Sequence, residues 1–166
     1  MSPTEAPASA QGGDPSAHDL DTLLSRILRD ARTIAVVGMK NDLDEDACRI
    51  PTYMAEHGYA IVPVNPKLEQ ARGEKAYPDL HSVSGAGVAV ELVNVFRASE
   101  NVEGHVDDIL SMQPLPKAVW LQLGIHHGPS ARRLREAGID VIQDRCIMVD
   151  HRRLTERKGV EATADV

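Results

Sequence analysis

"TIAVVGMKND", residues 33–42, is the stretch on which the fold turns. Thr33 to Val37 form a short, largely β-branched run that reads as a buried strand, and Gly38 opens a turn directly after it. Phosphate-binding turns of α/β proteins begin in this way. Only one glycine is present where the dinucleotide fingerprint G-x-G-x-x-G needs three, and four acids follow: Asp42, Asp44, Glu45 and Asp46.

Outward from this stretch the same rhythm repeats. Further strands are predicted over 59–64, 88–95, 117–123 and 139–142. Helices are predicted over 19–29, with Asp19 as N-cap, over 46–57, over 99–112, with Ser99 as N-cap, and over 129–137. Gly58 and Gly138 close two of them, and Pro51 predicts that the second helix starts or bends there. Residues 68–80 read as a loop with a short turn at Pro78 and Asp79.

Strands alternating with helices imply right-handed crossovers and a parallel sheet covered on both faces. The expectation is a single α/β, Rossmann-like domain over 19–155. It has a doubly wound parallel five-stranded sheet in the order 3-2-1-4-5, with helices on both faces. Residues 1–18, rich in Pro, Ser, Ala and Gly, read as a disordered tail, and 156–166 as a second, flexible one.

Bulk properties narrow the function. Eighteen Lys and Arg against 25 Asp and Glu give a formal charge of −7, which disfavours a general nucleic-acid binder. No apolar run approaches the ~20 residues of a membrane span, and the N-terminus lacks the pattern of a secretion signal. With Cys48 and Cys146 alone, a disulfide framework is not expected. These features predict a cytoplasmic protein with no membrane or nucleic-acid partner.

In such sheets ligands bind beyond the C-terminal strand ends. The segments there are "GMKND", "NPK", "FRAS", "GIHHG" and "DRC". Lys40, Lys67, Arg97 and Arg145 would converge on one rim and favour an anionic ligand. An NAD site would place an acid at the end of the second strand, whereas this chain has Asn65-Pro66-Lys67. A lysine on a rigid turn suits an additional phosphate, as carried by NADP or by coenzyme A.

Other residues have competing readings. Cys146, beside Arg145 and with His126, His127 and His151 elsewhere, is a candidate nucleophile, or a small buried apolar group. The adjacent His126 and His127 raise zinc, but no C-x-x-C or H-x-x-x-H accompanies them, so no metal is expected. Asp144 and Arg145 read as forming a structural ion pair with a neighbouring loop. Trp120 should pack in the core with a partner for its indole N–H, and Glu91 reads as an edge-facing charge.

"TIAVVGMKND", "GYAIVPVNPK", "LVNVFRASENV", "AVWLQLGIHH" and "AGIDVIQDRCIMVDHRRL" together resemble the small CoA-binding proteins of bacteria and archaea. These are single-domain relatives of the CoA-binding domain of succinyl-CoA synthetase α subunits. The resemblance covers about residues 20 to 155. It implies that Gly38, Met39 and Lys40 line the pyrophosphate, and that Asn65, Pro66 and Lys67 surround the adenosine and its phosphate. Val95, Phe96 and Arg97 would flank the nucleotide, and Gln122 and Gly124 would border the pantetheine. Relatives usually carry Arg-Pro and then Ser or Ala in the first turn, where this chain has Glu45-Asp46-Ala47.

The leading expectation is a non-catalytic or regulatory module that binds coenzyme A or acyl-CoA, alone or with a protein partner or as a homo-oligomer. No complete acid–base pair or triad is visible. The alternatives are an NADP-dependent oxidoreductase, and a partner-binding regulator whose nucleotide site has decayed through Glu45 and Asp46.

Overall fold

Chain order runs α1 (Ala17–Asp30), β1 (Thr33–Val37), α2 (Asp46–Glu56), β2 (Ala60–Val64), β3 (Gln70–Ala71), β4 (Glu74–Lys75), α3 (Leu80–Gly85), β5 (Leu92–Val95), α4 (Ser99–Leu110), β6 (Ala118–Leu121), α5 (Gly128–Glu136), β7 (Asp140–Ile142) and α6 (Ile147–Ala164). The structure, a computed structural model, describes residues 16–164. The expected N-terminal tail lies outside the described residues except for its last three positions, of which Ala17 and His18 already belong to α1.

Five strands form one parallel sheet in the order β2-β1-β5-β6-β7. The α/β doubly wound architecture is as expected, but the strand order is not. Counting only these five, it is 2-1-3-4-5 rather than 3-2-1-4-5, because β5 pairs with β1 and not with β2. Alternation of strands and helices dictates parallel pairing and handedness, but not the side on which each new strand is added. A right-handed connection that returns across β1 must cover the opposite face from α2, and α3 does so. The chain thus reverses direction at β1, and the switch point lies between β1 and β5.

The strands' period-two alternation divides the core. Ile34, Val36, Leu92 and Trp120 face α1, α2 and α6, packing on Leu24, Ile27, Ile50, Met54 and Ile147. Ala35, Val37, Val93, Val95, Val119 and Leu121 face α3, α4 and α5, packing on Leu80, Val83, Val106, Ile109 and Leu134. Burying each such side chain contributes roughly 1.5–3 kcal/mol, so aliphatic residues suffice for the core.

Several local expectations change. Ser16, not Asp19, caps α1, accepting from the Asp19 N–H. The helix α2 begins at Asp46 and carries Pro51 in its interior. Residues 68–80 hold the antiparallel β3–β4 hairpin, and Tyr77 pairs with Val64 along the free side of β2. That pairing covers an edge that would otherwise expose unpaired backbone groups. The chain stays helical from Ile147 through Ala164, across the domain boundary expected at residue 155.

Glu91 is not an edge charge: its Oε1 accepts from the N–H groups of Arg32 and Thr33, at 2.7 and 2.9 Å, at the sheet end remote from the switch point. No helix among the described residues is long and apolar enough to cross a membrane.

Candidate functional site

At the C-terminal edge, Val37, Val64 and Val95 end neighbouring strands in register. The backbone then closes across the switch point: the Gly38 N–H donates to the Val64 carbonyl (2.8 Å), and the Phe96 N–H to the Val37 carbonyl (2.9 Å). Gly38 has φ +84°, and a Cβ there would lie 3.0 Å from Arg97 Cδ and 3.3 Å from the Phe96 carbonyl oxygen. Only glycine lets the Arg97 stem lie across this turn.

A cavity of about 200 Å³ opens at this point. Its wall joins Gly38, Pro66 and Arg97 to Asp79, His105 and Asp108, over a floor that includes Val37, Val64 and Leu80. Arg97 Nε is buried with no hydrogen-bond partner among the described residues. A buried, unpaired guanidinium N–H is costly and fits a site that receives an acceptor from outside the chain. Burial pushes the pKa of His105 down, Arg97 pushes it further, and Asp108 partly opposes them. Asp79 caps α3: Oδ1 accepts from Ser82 N and Ser82 Oγ, both at 2.7 Å, and these bonds hold its carboxyl below the usual range.

The expected site residues divide. Gly38, Pro66 and Arg97 meet in the cavity. Met39 is fully buried, and its carbonyl accepts from Asn65 Nδ2 at 2.8 Å; Asn65 Oδ1 in turn accepts from the Lys67 N–H at 2.9 Å. Asn65 therefore ties the first turn to the second. Lys40 and Lys67 are exposed beside them. Val95 is a core residue, while Phe96 packs on the opposite face of the sheet from α4.

Gln122 is buried, with Oε1 directed to Asn94 Nδ2 and the Ile147 N–H, each at 3.4 Å. Gly124 has φ +84° and donates to Asp144 Oδ1 at 2.6 Å. Neither joins the cavity. Asp79, His105 and Asp108 were missed in the sequence. Their signal was faint: His105 and Asp108 lie three apart on the helix that follows the switch-point strand, beside its inward face.

The remaining cations and nucleophiles have structural roles. Arg145 Nε and Nη2 clasp the buried carboxylate of Asp150 at 2.7 and 2.8 Å. The expected ion pair is therefore made by Arg145 with α6, while Asp144 serves Gly124. The Arg145 carbonyl accepts from Trp120 Nε1 at 2.9 Å, the partner that the indole required. Arg145 is committed to Asp150, and Cys146 beside it is half-buried.

His127 caps α5, accepting from the Ser130 N–H at 3.2 Å, and His151 Nδ1 meets Tyr53 Oη at 2.9 Å. Among the described residues no cluster of three or more His, Cys, Asp or Glu could hold a metal ion.

The acids after the first turn build backbone. Asp42 Oδ1 accepts from the Asp44 N–H at 2.9 Å, and the Asp42 carbonyl from the Glu45 N–H. Glu45 occupies the N-cap position of α2 without a side-chain cap bond, and Asp46 pairs with Arg49. Both acids are exposed, and neither lines the cavity.

Comparison with known proteins agrees with this architecture. The uncharacterized protein YneT of Bacillus subtilis (strain 168) is 34% identical over 128 residues, covering 77% of this chain and 91% of YneT. The solved structure of cell-free ID.343 from Thermus thermophilus is 38% identical, with a TM-score of 0.72 over 81% of this chain and 98% of that one. A hypothetical protein from Pyrococcus horikoshii OT3 is 31% identical, with a TM-score of 0.75 over 81% and 92%. The family model described as CoA binding domain matches residues 32–152. This chain belongs to the CoA binding domain family.

Proposed function

We propose that this protein binds coenzyme A or an acyl-CoA across the C-terminal edge of its sheet and acts as a non-catalytic binding or regulatory module. The observation that carries this reading is the buried Nε of Arg97, which has no partner among the described residues and is held against Gly38 in the switch-point cavity. A phosphate oxygen would supply the missing acceptor as a charge-assisted hydrogen bond.

The cavity, about 200 Å³, is smaller than the roughly 300–1,000 Å³ of a typical whole-ligand site. It would take one part of the ligand, and the rest would run along the open strand ends past Lys40, Lys67 and Phe96. Exposed Lys67, beside Pro66, is assigned the 3′-phosphate. The decayed-site alternative rests on Glu45 and Asp46, which do not line this cavity.

Isothermal titration with CoA and with dephospho-CoA tests the proposal. Saturable binding of CoA, weaker for dephospho-CoA, is expected. No heat with either ligand overturns the reading, and equal affinity for both removes the role given to Lys67.

A further inference from the structure

His105 is the group in the cavity wall whose ordinary pKa lies nearest neutrality. The charged or titratable groups sharing that wall are Asp79 from the start of α3, Arg97 from the turn after β5, and Asp108 from α4 itself. His81 neighbours Asp79 but is exposed and outside the wall.

With His105 neutral, the wall presents one cation, Arg97, against the carboxylates of Asp79 and Asp108. Asp79 cannot readily shed its charge, because Ser82 donates two hydrogen bonds to it. A phosphate group entering such a wall adds negative charge where the carboxylates already outnumber the cation, and at short range each uncompensated charge is expensive.

We infer that His105 takes up one proton from solvent when a phosphate group enters this cavity, so that ligand binding here is coupled to pH. This rests on the proposed CoA reading and adds a residue and a linkage to it. The proton goes to an imidazole nitrogen, and no other bond forms or breaks.

The direction of the linkage follows from the surroundings. In the free protein, burial and Arg97 hold the His105 pKa below its ordinary value of 6.5, so the ring is neutral at pH 7. An anion between Arg97 and His105 screens their repulsion and raises the His105 pKa. Affinity is then greatest below the free-protein pKa and declines as pH rises to the pKa of the complex. It levels off above that, changing about tenfold for each unit of difference between the two. CoA offers two kinds of phosphate, the pyrophosphate and the 3′-monoester. The monoester itself titrates near pH ~6. The contribution of His105 is therefore the difference between wild type and variant.

The experiment is calorimetric titration of the full chain with CoA at pH 6 and pH 8, each in two buffers of different ionisation heat, for wild type, His105→Gln and His105→Lys. Wild type should take up a fraction of a proton near neutrality. His105→Gln should lose the His105-dependent part of that uptake and bind at pH 6 more weakly than wild type at the same pH. His105→Lys, permanently charged, should bind tightly at both values.

A His105→Gln protein with the proton uptake and pH profile of wild type overturns this inference alone. Failure of wild type to bind CoA at either pH overturns it together with the reading beneath it. Dephospho-CoA locates the partner: a His105-dependent uptake that persists assigns the pyrophosphate, and one that disappears assigns the 3′-phosphate.

Discussion

The Lys40 N–H donates to the Ala47 carbonyl at 3.2 Å, the acceptor that Pro51 leaves without its usual helical donor. Pro51 lacks an N–H, so the bond from residue 51 to residue 47 is not made inside α2. The first turn uses that vacancy to anchor itself to the helix. The Gly38 N–H is likewise spent on Val64. Anion binding at this turn therefore falls to Arg97 and to side chains rather than to these two backbone donors.

Pro51→Ala supplies a competing donor from within α2. The Lys40 amide should then exchange with solvent several-fold faster, in line with a net hydrogen-bond worth of about 1 kcal/mol. Amide exchange followed by NMR checks this, and unchanged exchange would show that Lys40 does not depend on the proline.

Gly38→Ala combines a left-handed backbone with a Cβ pressed against Arg97 and the Phe96 carbonyl. A loss of about 1–3 kcal/mol in unfolding free energy is expected. CoA affinity should fall at least as far, since Arg97 must move. Urea unfolding and calorimetry of the same variant measure the two effects.

Arg97→Met keeps an unbranched stem over Gly38 but removes the guanidinium. Because Nε has no partner within the described chain, unfolding stability should change little. Affinity for CoA should drop by roughly ten- to a hundredfold, the worth of a charge-assisted hydrogen bond. A large stability loss with intact affinity would reassign Arg97 as a structural residue.

Asp150→Ala strips two arginines, Arg145 and Arg153, of a buried carboxylate. Removing one partner of such a cluster should cost about 3 kcal/mol. Its CoA affinity, measured where the protein remains folded, should match wild type, because Arg145 is paired with Asp150 and does not line the cavity.

His151 gives stability its own pH dependence. Burial first, and His57 second, hold its pKa below 6.5 in the folded protein. The unfolded chain therefore takes up the proton first, and stability declines as pH falls from 6.5 toward the lower folded value. His151→Gln should remove part of that decline. Melting temperatures at pH 7.5 and pH 5.5, in wild type and variant, test it, with a difference of a few degrees expected.

How much of this was legible in the chain varies by residue. The strand Thr33–Val37 was readable to its ends, because a β-branched run closed by glycine leaves little freedom. The helix α6 was not anticipated, since its charged residues mask the apolar positions that face the sheet, and Arg153 and Asp21 become intelligible only as partners across helices. At Pro51 the helix does not start, since it runs from Asp46, and local propensity counts the lost N–H without seeing Lys40 at the freed carbonyl.

By itself the sequence determined the α/β class, the parallel pairing, the turn at Gly38 and the family motifs, all of which depend on neighbours a few residues apart. Tertiary structure alone decided that β5 lies beside β1, which puts the switch point at the gap between Gly38 and Arg97. It also decided that Asp79, His105 and Asp108 share that gap, while Arg145, Gln122 and Gly124 turn to other partners. Strand order and side-chain direction depend on which face each crossover covers, and that is settled by packing between segments far apart in the chain.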